Sequence, residues 1–219
     1  GGWTPVITGA GAGWGFYAPS MKYVTFMLDR GESVRLETSV VFTPDGINQL
    51  QNEYGAIPDW ISNMNREGDI FNNNARLKFG SGKYIQPSTE LIPGRTSPGS
   101  NKNLIVIRYA EILLTYAEAL TRGASSNISM TADEAVNLVR ARAGLNNLSG
   151  VTTNNVLDEK FAELGTEWGI RYYDMVRTGN EAALSYEGRT FTMDKAYYVI
   201  PAPQVAELPQ LGEEVTPTN

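Results

Sequence analysis

Glu111 and Glu118, seven residues apart in the run LIVIRYAEILLTYAEAL, are the first place to look for chemistry in this chain. Paired acids flanking a glycosidic bond can supply a proton and a nucleophile. Two helical turns separate their backbones by roughly 10.5 Å at a rise of ~1.5 Å per residue. Retaining hydrolysis needs carboxyl groups ~5 Å apart and inverting hydrolysis ~6.5 to 9.5 Å, so the spacing is marginal. With Arg108 and Thr115 these acids form one polar line along the helix. A scaffold seam paired with Arg108, Arg140 or Arg171 is the better reading, because a buried carboxylate demands a partner. The same reading covers Glu167, Arg171 and Asp174. The chain has neither His nor Cys, which removes imidazole and thiolate metal sites, disulfides and the Ser-His and Cys-His nucleophile systems together. No metal, no cofactor and no catalytic residue is expected.

Rings in loops offer a different chemistry. Trp3, Trp14, Tyr17, Tyr54, Trp60 and Tyr84 all lie in sequence without helical periodicity, where a ring can stay exposed. Pyranose faces present C–H patches that stack on an electron-rich ring, while amides and guanidinium groups hydrogen-bond the hydroxyls. The alternative is that each ring anchors its own loop, the commoner fate of aromatics. Asn72, in the run Asn72-Asn73-Asn74, and the nearby Arg76 add donors and acceptors, as do Asn63, Asn65 and Arg66, although Asn is also favoured in turns for backbone reasons. Trp168 stands in helical sequence and is read as core.

The elements that must position these groups come next. Pro19 and Ser20 suit the first turn of a short helix ended by Gly31, with Tyr23, Val24, Phe26, Met27 and Leu28 as its apolar face. Residues Leu36 to Phe42 alternate like a strand, stopped by Pro44-Asp45-Gly46. From Asp45 to Asn103 periodicity fails, a length that predicts short hidden strands near Lys78 to Ile85. Leu104 to Leu120 is apolar around its axis and predicts a buried helix, broken at Gly123. A second helix starts at Thr131 with Glu134 three positions on, a capping box, and stops at Gly144 behind Arg140 and Arg142. A third runs from about Val156 to Thr178, its charges three or four apart, and the segment KAYYVIPAPQ reads as an extended closing tail. Two helices with a short connection form an antiparallel pair of the tetratricopeptide type.

Composition sets the outer limits. A chain of 219 residues with 42% hydrophobic content can bury a sizeable core. Its net charge of -6 and scattered Lys and Arg argue against nucleic acid. No apolar run approaches the ~18 residues that span a bilayer, and no signal-peptide pattern opens the chain. The start Gly1-Gly2-Trp3, without Met, leads us to expect a processed product or a piece of something longer.

Four motifs in order carry a resemblance: RYAEILLTYAEAL, NLVRARAGL, EWGIRYYDMVRTG and YVIPAPQVAEL. The earlier GWGFYAPSMKYVTFMLDRGESVRLETSVVF fits the same pattern. Across most of residues 9 to 211 the chain resembles the C-terminal portion of SusD/RagB outer-membrane glycan-binding lipoproteins. It departs from them at Gly31-Glu32-Ser33-Val34-Arg35, where the turn lacks the usual Asp, and at Trp168, inserted between Glu167 and Gly169. The resemblance implies a mainly α fold with a few short strands, a SusD-like α/α superhelix of tetratricopeptide-like pairs. Within residues 1-219, a loop-rich candidate ligand-binding region at 1-103 would precede a helical scaffold and closing tail at 104-219.

The implied function is non-catalytic capture of oligosaccharide at the surface of the outer membrane and delivery to a TonB-dependent transporter. Membrane attachment would come only through a lipid anchor absent from this chain. Some relatives are associated with peptide uptake, so a peptide is an alternative ligand. A tetratricopeptide-type protein- or peptide-binding module is the runner-up function, and a glycoside hydrolase the third.

Overall fold

The computed structural model describes residues 17–90 and 103–212. Trp3 and Trp14 lie outside them. The chain divides into two compact units, residues 1–171 and 172–219.

In the first unit, α1 (Met21–Asp29) begins as expected, Ser20 accepting from the Tyr23 amide. The expected strand over Leu36 to Phe42 is only partly one: Val34–Ser39 form the helix α2, and β1 is confined to Val40–Phe42. Alternation is misleading here because Arg35, Leu36 and Ser39 are all buried, a helical rather than a period-two set. All three β1 residues are buried, so this strand cannot alternate.

Pro44-Asp45-Gly46 does not stop the chain but opens α3 (Pro44–Glu53). Thr43 caps it by accepting from the Gly46 amide at 3.1 Å, and Pro44 occupies the first turn, where a missing N–H costs nothing. From the end of α3 to Glu90 the chain is irregular apart from short 3-10 turns at Gly82–Tyr84 and Ser88–Glu90 and the strand β2 (Phe79–Ser81), which pairs antiparallel with β1, Phe42 opposite Phe79. That strand falls where short strands were expected.

The helix over Leu104 to Leu120 is shorter and less buried than its composition predicts. Among the described residues α4 spans Tyr109–Thr121, with Leu104 to Ile107 irregular and exposed ahead of it, and Tyr109 and Ile112 exposed within it. The physical reason is one-sided packing: α5 (Ala132–Arg142) and α6 (Thr153–Leu164) meet α4 on the face of Leu113, Leu114 and Ala117. The Thr131–Glu134 capping box is present, and Gly144 follows α5 with a φ of 73°, a left-handed value that favours glycine.

The third helix is not continuous. Gly165 to Gly169 separate α6 from α7 (Ile170–Arg177), with Thr166 at φ 67°, Trp168 at φ 40° and Gly169 at φ 71°. A Cβ at Gly165 would lie 2.3 Å from the Tyr23 ring, so this backbone passes where only glycine fits. Trp168 is therefore not core. It stands outside the helix, half exposed, donating its indole N–H to the Ile105 carbonyl at 2.9 Å.

Two large apolar clusters organise the unit, beside a smaller one of Val41, Phe71 and Leu77. One joins α1, α2, β1, α3 and β2 around Met27, Leu36, Leu50 and Phe79; the other joins α4, α5 and α6. Helix α6 belongs to both, giving Ala162 to the first and Val156 to the second.

The second unit continues α7 into α8 (Glu181–Leu184), where Asn180 accepts from the Ala183 amide. Within KAYYVIPAPQ the stretch Tyr197 to Ile200 is irregular and exposed, but Ala202–Glu207 form the helix α9 instead of extended chain. Pro203 sits in its first turn, a position that proline's fixed φ favours.

Candidate functional site

Arg108, Glu163 and Glu167, three of the charged residues read from sequence as scaffold, come together with Arg35 and Glu159 in one largely buried network. Arg35, 5% exposed, donates from Nε to Glu32 at 2.8 Å and from Nη1 to Glu159 at 2.7 Å and Glu163 at 3.3 Å, and pairs with Glu32 a second time through Nη2. Arg108 holds Glu163 at 2.7 Å and both oxygens of Glu167 at 2.9 Å. Arg30 and Arg140 reach Glu159 at 2.5 and 2.9 Å, and Arg142 reaches Glu163 at 2.5 Å. Lys83 donates to Glu167 at 2.6 Å and to the Glu163 carbonyl at 2.7 Å.

Electrostatics follow from that packing. Burial alone would raise the Glu163 pKa, but hydrogen bonding from Arg108 and the charges of Arg142, Arg108 and Arg35 hold it below the ordinary value. Burial opposes charge on Arg35 and Arg108 as well, and their carboxylate partners outweigh it, raising both. Lys83 goes the other way, burial lowering it despite Glu167.

The Glu111–Glu118 pair is not a catalytic dyad. Glu118 is buried and bound by Arg122 at 2.9 Å and Lys160 at 3.3 Å. These are not the partners expected for the seam, since Arg108 is drawn to Glu163 and Glu167 and Arg140 to Glu159. Nor do Glu163, Glu167 and Arg171 line one helix, because Gly165 to Gly169 interrupt it between α6 and α7. Arg171 instead meets Asp158 at 3.7 Å and lies over the Phe161 ring, 4.4 Å from its centroid. Asp174 and Arg177 do pair, at 2.7 Å.

The expected sugar-binding residues are spread out. Tyr17 is 98% exposed, and Tyr54 is exposed with its hydroxyl donating to Asp29 at 2.8 Å. Trp60 is half-buried against the first cluster. Asn72 and Arg76 are exposed. Their neighbours are structural: Asn73 exchanges hydrogen bonds with Asp45, and Asn74 accepts from the Arg76 amide at 2.9 Å.

Tyr84, exposed in the turn after β2, lines a cavity of about 330 Å³. Tyr17, Tyr54 and Trp60 do not line it. Its wall is built from Arg35, Lys83, Ile105, Arg108 and Arg142, residues that sequence reading did not assign to a site. The signal available was indirect: Glu32 and Arg35 stand at a spacing that allows the local pair they form, whereas the cations that meet Glu163 and Glu167 come from elsewhere in the chain. No group of three or more acidic residues among the described residues could hold a metal. No described helix is long and apolar enough to cross a membrane.

Comparison with known proteins follows the same fold. No curated protein sequence matches the chain. Among solved structures it is similar to a surface glycan-binding protein A from Bacteroides thetaiotaomicron in complex with laminarihexaose. The two are 25% identical with a TM-score of 0.64, over 95% of this chain and 43% of that one. It is also similar to a laminarin-binding SusD-like protein, at 25% identity and a TM-score of 0.57, over 85% of this chain and 36% of that one. The chain thus spans less than half the length of these structures. The SusD family profile matches residues 5–202, and with the mainly helical fold and the ordered motifs this establishes that the chain belongs to the SusD family.

Proposed function

We propose that this chain is the C-terminal part of a non-catalytic protein that captures oligosaccharide at the outer-membrane surface and passes it to a TonB-dependent transporter. The observation that carries the reading is the similarity to two glycan-binding structures over 85% or more of this chain. The paired carboxylates support it from the other side, since Glu118 and the Glu159–Glu163–Glu167 set are engaged by cations and not poised for acid–base work. Tyr17, Tyr54 and Tyr84 are exposed and Trp60 half-exposed, so these rings are the proposed platforms, with Asn72 and Arg76 as polar contacts and Trp3 and Trp14 as further candidates.

Calorimetry against a panel of neutral oligosaccharides that includes laminarihexaose tests this. Binding of at least one glycan, weakened by Trp60→Ala or Trp14→Ala and accompanied by no hydrolysis product, is the expected outcome. A protein carrying the complete N-terminal part that binds no glycan of the panel removes the capture reading. Co-purification with an outer-membrane transporter tests the delivery step, and its consistent absence removes that step alone.

A further inference from the structure

The 330 Å³ cavity beside Tyr84 brings together a pocket, an exposed ring and several cations. Among the described residues its wall carries four cations, Arg35, Lys83, Arg108 and Arg142, against two carboxylates, Glu163 and Glu167. Widening the count to the whole network adds Arg30 and Arg140 as cations and Glu32 and Glu159 as anions, which leaves the same excess of two positive charges. This excess sits in a protein whose net charge is -6. A scaffold network needs balance to offset desolvation, so a surplus opening onto a cavity is unlike a merely structural seam.

The cations are not equally committed. Arg35 is enclosed and Arg108 grips two glutamates, but Arg142 is 63% exposed at its side chain and makes one hydrogen bond, from Nη2 to Glu163 at 2.5 Å. Arg142 lines the cavity together with Tyr84, Ile105 and Val34. A planar carboxylate matches a guanidinium fork, and a pyranose ring can stack on Tyr84 and the aliphatic side chains beside it. The volume lies near the lower end of the ~300–1,000 Å³ usual for small-ligand sites, enough for a single sugar unit.

We propose that this cavity binds the carboxylate-bearing ring of an acidic saccharide, a uronate, with Arg142 pairing its carboxylate and Tyr84 stacking its face. The inference rests on the glycan-capture reading and narrows it to a class of sugar for one subsite. A peptide carboxylate is disfavoured by the ring-and-aliphatic wall, which suits a flat sugar face.

Calorimetry with tetragalacturonate, its carboxyl-reduced neutral counterpart, laminarihexaose and an amidated and a free-acid tetrapeptide separates the possibilities. Tetragalacturonate should bind at least tenfold more tightly than its reduced counterpart, with an affinity that falls as salt rises. Arg142→Gln should weaken it by about tenfold, the effect of losing a charge-assisted hydrogen bond. Tyr84→Ala should weaken both the acidic and the reduced tetramer, and Arg142→Gln should not alter laminarihexaose binding more than twofold. Thermal unfolding of each variant checks that the fold is intact; if Arg142→Gln unfolds, Arg142→Lys should lower affinity by removing the fork while keeping the charge.

Equal affinity for the acidic and reduced tetramers overturns the proposal, as does an Arg142→Gln variant that binds tetragalacturonate unchanged. A preference for the free-acid peptide over the uronate overturns it too. Laminarihexaose binding without tetragalacturonate binding defeats this inference and leaves glycan capture standing, whereas loss of every saccharide defeats both.

Discussion

Arg35→Met is the sharpest test of the idea that ion pairing, and not apolar patterning, holds α2 in place. The guanidinium is enclosed and serves three carboxylates, Glu32, Glu159 and Glu163. Its removal is not equally felt by them. Glu159 keeps Arg30 and Arg140, and Glu163 keeps Arg108 and Arg142, but buried Glu32 is left with Arg30 alone at 3.3 Å. Breaking a buried pair while leaving one charge behind costs about 3–5 kcal/mol, a large share of a total that is typically ~5–15 kcal/mol. For a chain of this size that corresponds to a fall in Tm of roughly 6–20 °C.

Urea unfolding and thermal scans at pH 7 read the effect. Glu32→Gln in the Arg35→Met background, by removing the under-paired charge, should restore part of the loss. A Tm within about 2 °C of the parent, or no recovery on adding Glu32→Gln, would refute the reasoning; the first would mean the network contributes packing alone.

Three further outcomes are expected. Gly165→Ala drives a methyl into the Tyr23 ring, whose hydroxyl donates to the Ala162 carbonyl at 3.2 Å, and should cost about 1–3 kcal/mol by urea unfolding, with Tyr23→Leu recovering part of it. Thr43→Ala removes both the α3 cap and a hydrogen bond to the Lys78 carbonyl at 2.8 Å, and should cost about 1–3 kcal/mol, measured the same way. Glu163 has a folded-state pKa held below its unfolded value of about 4.5, so its contribution is fully present above that value and is lost as pH falls through the folded one. Tm against pH should therefore drop on acidification below about 4.5, and Glu163→Gln should flatten that drop while lowering Tm at neutral pH.

Much of the scaffold was legible locally. Ser20 capping α1, the Thr131–Glu134 box opening α5, and the glycine after α5 each satisfy or end a helix through groups within four residues of one another, so short-range rules identify them. Local reading failed where a distant partner outweighed it. Residues 34–39 became a helix because Arg35 and Leu36 are both claimed by the interior, Arg35 by glutamates more than a hundred residues away on α6 as well as by Glu32. The expected helix from Val156 to Thr178 broke at Gly165 because Tyr23, from α1, occupies the space a continuous side-chain-bearing helix would need. Leu104 to Ile107 were judged buried from composition, but burial is a property of neighbours, and α5 and α6 cover another face.

The candidate site divides the same way. Ordered motifs identified the family from sequence, because each preserves a run of helix-forming and capping residues that does not depend on knowing what it packs against. The rings Tyr17, Tyr54, Trp60 and Tyr84 were recognisable as loop residues, yet only the folded chain put Tyr84 on a cavity and Trp60 against the core. Sequence alone determined that chemistry here must do without histidine and cysteine, and that helix pairs dominate the second half. Tertiary structure decided which charges meet: Coulomb attraction acts through space, and Arg35, Lys83, Arg108 and Arg142 converge on Glu163 and Glu167 only after two apolar clusters have brought α2, α4, α5 and α6 together.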